Sequence, residues 1–251
     1  MLRMHSSSRA FAGVVLVLLA ASPVSAGTAP VTLPAAPNCP IFPSSNVWNK
    51  PVDGLDVAGN SGTLMRSIGL ESYLHPDFSS IAGGNYGIPI NVVGSGARRV
   101  NVRFRWPGES DPNPYLMPRN PKFESGSDRH LIVVDRDACK LYELFAMRKT
   151  STGWRAGSGA KWDLRSNALR PDGWTSADAA GLPILPGLAR YPEVAAGEIR
   201  HALRFTVPST RSSYIYPARH FASASNDPAL PPMGVRLRLK DGVDISAFGP
   251  Q

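Results

Sequence analysis

Proline and glycine constrain this chain more than any other residues. It holds 24 Pro and 23 Gly among 251 residues, nearly one in five, where average usage is roughly 12 %. Proline removes a backbone donor and breaks helices, and glycine weakens both helix and strand interiors. Spread along the whole length, the two exclude a helical bundle and favour short strands joined by long loops. Glycine has no triplet period, so the chain is not collagen. An apolar share of 43 % is too high for a disordered chain, and a charged share of 18 % is too low for a coiled coil.

Residues 1–26 read as a secretory signal peptide. Arg3 and Arg9 supply the positive start, Phe11–Ala21 the apolar run, and Val24-Ser25-Ala26 the small-residue cleavage site. Spanning a bilayer takes about 20 apolar residues, so this run is too short to anchor the chain. No integral membrane segment is expected after cleavage. Loss of the two arginines lowers the formal charge from +8 to +6. Residues 27–45 are rich in Ala, Pro and Ser and read as a tether. Residues 46–251 then form a single β-rich domain.

The chain has two cysteines, Cys39 and Cys139. In an exported protein an isolated pair reads as a disulfide. The rival reading is a catalytic Cys near His130 or His201.

Strand patterns recur after the tether. Val100–Trp106 alternates, with Val100, Val102, Phe104 and Trp106 inward and Asn101, Arg103 and Arg105 outward, as in a half-buried antiparallel strand. His130–Asp135 and Cys139–Arg148 read as a hairpin. Gly153–Leu164, His201–Val207, Ser213–Tyr216 and Val235–Lys240 also read as strand regions, and Pro192–Gly197 as a short helix. The expected fold is therefore mainly β: an antiparallel sandwich or jelly-roll-like domain with long Pro/Gly-rich loops and one or two short helices.

The irregular stretch 165–190 and its flanks concentrate the candidate chemistry. Asp163 and Asp178 are the acid pair a glycan hydrolase or lyase would need. Trp174 offers a face for a sugar ring, with Arg165 and Arg219 as further substrate contacts. His201 and His220 complete the candidate catalytic set. The competing interpretation is that these Asp and Ser residues cap turns and that Trp174 seals the core. There is no H-x-H, H-E-x-x-H or G-x-S-x-G, so spacing supports neither a metal site nor a serine nucleophile, and no cofactor is expected.

Arg103 and Arg105, with Arg236, Arg238 and Lys240, would form a basic ridge if their two strands were neighbours. For an exported chain the partner would be an acidic or neutral extracellular polysaccharide, with no nucleic acid expected. Arg outnumbers Lys 21 to 6, so a merely solvated face is the alternative.

The stretches NCPIFPSSNVWNKPV, DRHLIVVDRDACKLYELF, WDLRSNALRPDGWTSADAAGLPILPGLARYPEV, RHALRFTVP, YPARH and ALPPMGVRLRLK resemble a group of uncharacterised secreted bacterial proteins. The resemblance spans nearly all of residues 38–246 and carries no catalytic residue with it. Members of the group run on past the point where this chain ends, which implies a shortened form. The functional expectation is a secreted protein acting on extracellular polymer: a glycan-active hydrolase or lyase, or else a non-catalytic glycan-binding module.

Overall fold

The computed structural model describes residues 30–73, 87–244 and 246–247. The expected signal peptide lies outside the described residues. The elements run β1 (Thr32–Leu33), β2 (Ala36–Pro40), α1 (Ser61–Ile68), β3 (Ile90–Val93), β4 (Arg99–Val100), β5 (Val102–Phe104), β6 (Tyr115–Leu116), β7 (Leu131–Asp135), β8 (Lys140–Leu144), β9 (Arg148–Thr150), β10 (Gly153–Ala156), β11 (Gly159–Asp163) and α2 (Tyr191–Ala195). The fold is mainly β with few, short helices.

A four-stranded sheet ordered β11-β8-β7-β3 forms the centre. Its β7–β8 hairpin is antiparallel, with Val133 opposite Tyr142 and Asp135 opposite Lys140. Asp135 shapes the hairpin turn: its Oδ1 accepts the N–H groups of Asp137 and Ala138 at 3.0 and 3.1 Å. Both faces of this sheet are buried, which is why β7 reads as a continuous apolar run. One face presents Leu131, Val133, Tyr142 and Leu144. Against it packs the inner face of a three-stranded sheet ordered β5-β10-β9, with Val102 and Ala156, together with Tyr115, Leu116 and Met117. The other face presents Ile132, Val134, Leu141, Ala160 and Trp162. It is covered by loops, including Leu164, Ala177, Ile184, Leu185 and Leu188.

The chain passes from the outer sheet to the central one between β10 and β11, where glycine is required. A Cβ on Gly157 would lie 2.6 Å from Phe145, and one on Gly159 would lie 2.6 Å from the Tyr115 hydroxyl. The Gly-Ser-Gly signal is therefore a close-packed crossover between layers.

Several expectations need correction. Residues 31–45 are not a tether. Leu33, Ala36, Cys39, Ile41 and Phe42 are buried in the main core, because β1 and β2 pair with each other and the Cys39–Cys139 disulfide fastens β2 to the hairpin turn. The paired cysteines have Cα atoms 5.2 Å apart, so the catalytic-Cys alternative is gone. Val100–Trp106 is not one antiparallel strand. It is divided at Asn101, and β5 runs parallel to β10. The β3–β7 ladder is parallel as well. Val235–Lys240 and His201–Val207 form no named strand, and the 213–216 stretch makes only an isolated bridge from Tyr214 to Met233. Their backbone takes unlike partners, such as Ala202 N–H to Trp48 O and Arg204 N–H to Gly187 O, and Leu203 and Leu239, expected inward, are exposed. The basic ridge built on a 235–240 strand is consequently absent. The helix expected at 192–197 is present as α2, with Pro192 in its first turn.

Candidate functional site

The loop 164–190 lies on the central sheet and is held there by polar side chains. Glu143, at an inward position of β8, is fully buried. Its carboxylate accepts the N–H of Ile184 at 2.9 Å and of Leu185 at 2.8 Å. Ser158 Oγ donates to Ser176 O at 2.5 Å. His130 Nε2 lies 3.0 Å from Ala177 O. Arg170 inserts between the rings of Trp162 and Trp174, 5.7 and 5.4 Å from their centroids. Its guanidinium donates to Thr175 O at 2.6 Å, Asp111 Oδ2 at 2.6 Å and Glu109 O at 2.8 Å. A buried loop must satisfy its backbone somewhere, and here the sheet's side chains do it.

Electrostatics at this anchor are unusual. Burial pushes the Glu143 carboxyl up to about 7, even though the N–H groups of Leu185 and Ile184 favour its ionised form. His130 Nδ1 lies 2.5 Å from Glu124 Oε2, and its other ring nitrogen faces a carbonyl. Both ring nitrogens therefore face acceptors, which suits the imidazolium. Burial alone lowers the His130 pKa, but the hydrogen bond and charge of Glu124 outweigh it and hold the group above its ordinary value. Glu124 is the mirror case: burial raises its pKa, and His130 brings it below the usual carboxylate range.

The expected acid pair does not form. Asp163 Oδ2 accepts from Lys140 Nζ at 2.8 Å, and its Oδ1 takes the Arg165 N–H at 2.9 Å. The hydrogen bond from Lys140 is the main reason its pKa is lowered. Asp178 instead accepts from Arg204 at 2.8 Å and from the Ala180 N–H at 2.8 Å. In the β11–β8 register Asp163 faces Lys140 and Ala160 faces Glu143, which separates the two ends by about 10 Å of strand. Asp163 belongs to the hairpin-turn end, whereas Asp178 interacts with Glu143 at the other. Both act as turn caps and ion-pair partners.

The remaining expected residues are also dispersed. His201 Nε2 lies 3.1 Å from Glu193 Oε1, which also binds Arg190 at 2.6 Å. His220 has Nδ1 2.8 Å from Ala179 O and Nε2 3.8 Å from Glu109. It stands near Asp178, since the Asp178–Ala180 turn meets both. Arg219 donates to Arg170 O at 3.1 Å and lies 3.4 Å from Asp172. Trp174 packs on Arg170, and Arg165 is exposed.

An aromatic cleft flanks the loop, and the sequence reading overlooked it. It is a shallow cleft with a cavity volume of about 70 Å³, and its walls include Trp48, Trp162, Tyr216, Asn46 and Asn167. Asn46 Nδ2 donates to Asn167 Oδ1 at 3.0 Å, and Asn167 Nδ2 donates to Ser45 Oγ at 2.9 Å. The indole N–H groups of Trp48 and Trp162 are buried without an acceptor in the protein. Tyr216 is 61 % exposed at the rim.

The chain matches no protein-family profile, no curated protein and no solved structure. Among the described residues no helix is long and apolar enough to cross a membrane, and no three His, Cys, Asp or Glu side chains are grouped to hold a metal.

One of the two missed features had a signal. Glu143 interrupts an otherwise apolar strand, LYELF, at an inward position, where a lone carboxylate demands a partner. Trp48 follows directly on the Pro- and Ser-rich stretch 27–45, where no periodic pattern marks an aromatic residue as part of a site.

Proposed function

We propose that this protein is a secreted, non-catalytic carbohydrate-binding module and that its sugar site is the Trp48–Trp162–Tyr216 cleft. The observation that carries this reading is chemical. Trp48 and Trp162 line the cleft, an exposed phenol stands at its rim, and the Asn46–Asn167 amides form a polar wall. Aromatic rings pack on the apolar face of a pyranose, while amide and phenol groups hydrogen-bond its hydroxyls. The hydrolase or lyase reading is the weaker one, because Asp163 and Asp178 each hold a cation and a backbone N–H at separate ends of the sheet.

A panel of neutral and acidic oligosaccharides tested by calorimetry, with reducing-end assay of the same mixtures, checks the proposal. Binding without chain cleavage is expected. Trp48→Ala and Asn167→Ala should each weaken it at least tenfold, with the disulfide and far-UV spectrum unchanged. Release of reducing ends that disappears in Asp178→Asn would restore the enzyme reading.

A further inference from the structure

The outer face of the three-stranded sheet carries a different site. In β10, Arg155 is opposite Arg103 of β5 on one side and Arg148 of β9 on the other. Their strand neighbours Val102, Trp154 and Ala156 pack inward, so the three arginines point outward in one row. All three are exposed. Adjacent strands are about 4.8 Å apart, which places three guanidinium groups across about 10 Å.

Like charges directly opposite one another on adjacent strands destabilise a sheet. Several arginines elsewhere hold carboxylates, among them Arg170 with Asp111, Arg190 with Glu193, Arg204 with Asp178 and Arg238 with Asp241, while exposed ones such as Arg66, Arg165 and Arg236 do not. What sets the row apart is its alignment across three strands. Among the described residues, Arg103, Arg148 and Arg155 have no carboxylate within ion-pairing distance. Three aligned, uncompensated guanidinium forks are complementary to a linear array of anions.

We infer that the Arg103–Arg155–Arg148 row is a binding site for a linear polyanionic polysaccharide bearing a carboxylate on successive sugars. Gly153 and Thr150 form the next row on the same face. Among the described residues of β5, β9 and β10 there is no exposed large apolar side chain to insert into a lipid surface. Their aromatic rings, Phe104 and Trp154, pack against the core and do not offer a face to a nucleobase. Arg105 adds charge at the edge, but its guanidinium lies over the Trp106 ring at 4.8 Å. The row lies on the other sheet from the aromatic cleft and does not depend on that site.

Polygalacturonate binding by the full chain provides the test, measured against salt concentration. The comparisons are R103Q/R148Q/R155Q and a control of equal charge change, R66Q/R236Q/K240Q, whose residues are exposed elsewhere. The expected result is binding by the natural protein, at least tenfold loss in the row variant, and less than twofold change in the control. The slope of log affinity against log salt should fall by about two to three units in the row variant. Equal weakening of both variants would overturn the site in favour of diffuse charge. No binding even at low salt, or tighter binding to a single-stranded oligonucleotide or anionic vesicles than to polygalacturonate, would overturn the ligand. Melting temperature serves as the folding control. It should hold or rise in the row variant at low salt, because the mutual repulsion is gone.

Discussion

Replacing Glu143 by Gln should change how stability depends on pH. Burial holds the folded-state carboxyl near pH 7, against an ordinary value of 4.5. A pKa raised on folding means that the folded state prefers the protonated group. Its favourable contribution is therefore complete below pH 4.5 and is lost as pH rises through 7. For these two values, linkage gives a loss of about 2–3 kcal/mol between pH 5 and pH 8, from a single fully buried side chain. Glutamine keeps one carbonyl oxygen to accept the Ile184 and Leu185 N–H groups and never ionises. At pH 5, where the carboxyl is itself protonated and carries one buried O–H, the variant should be less stable by only about 1 kcal/mol, because its amide brings two buried N–H donors. The gap should narrow or reverse by pH 8. Urea denaturation at half-unit pH intervals, followed by tryptophan fluorescence, gives both curves. Parallel curves for the two proteins from pH 5 to 8 would refute the argument, because the carboxyl would then titrate alike in folded and unfolded chains.

Other substitutions test separate parts of the structure. His130→Gln should remove a contribution that is full below pH 6.5 and fades as pH rises through the higher folded value, flattening the stability profile near neutrality. Arg170→Lys should cost about 3 kcal/mol in denaturant titration, because lysine cannot reach Asp111, Thr175 O and Glu109 O together. Gly157→Ala should cost about 1–3 kcal/mol, since its Cβ would lie 2.6 Å from Phe145 and 2.9 Å from Trp106. Reducing the disulfide, or changing both cysteines to Ala, opens a loop of 100 residues, and the chain-entropy relation puts the loss at about 4–5 kcal/mol, readable as a fall in melting temperature.

Much of the central sheet was legible in the sequence. His130–Asp135 and the segment after the turn behave as a buried hairpin because apolar runs and the Asp135-Arg136-Asp137 turn act locally. The disulfide followed from cysteine count and expected compartment. The region after Leu164 was not legible in the same way. Its alternating segments join no named strand, and Leu203 and Leu239, which the pattern turns inward, are exposed, so alternation alone guarantees neither the hydrogen-bond partner nor burial. His201 illustrates the point. Its side chain is 1 % exposed, as an inward strand position would be, yet what it faces is Glu193. The acid pair failed for a related reason. Asp163 and Asp178 lie on one stretch of chain, but the turns between them carry them to opposite ends of β11. The Arg103–Arg155–Arg148 row depends on a parallel register between segments some fifty residues apart, which no local pattern discloses.

The way the 164–190 loop is fastened separates its route from its composition. Glu143 grips the main-chain N–H groups of Ile184 and Leu185; Ser158 and His130 grip the main-chain carbonyls of Ser176 and Ala177. None of these bonds reads the identity of the residue held. Outward-facing side chains of the loop can therefore be exchanged while the path over the sheet stays fixed. These three residues, one in β8 and two beside the ends of β7 and β11, act as a jig for an interchangeable surface, so diversifying the outward positions while keeping Glu143, Ser158 and His130 is a practical route to new recognition on this scaffold.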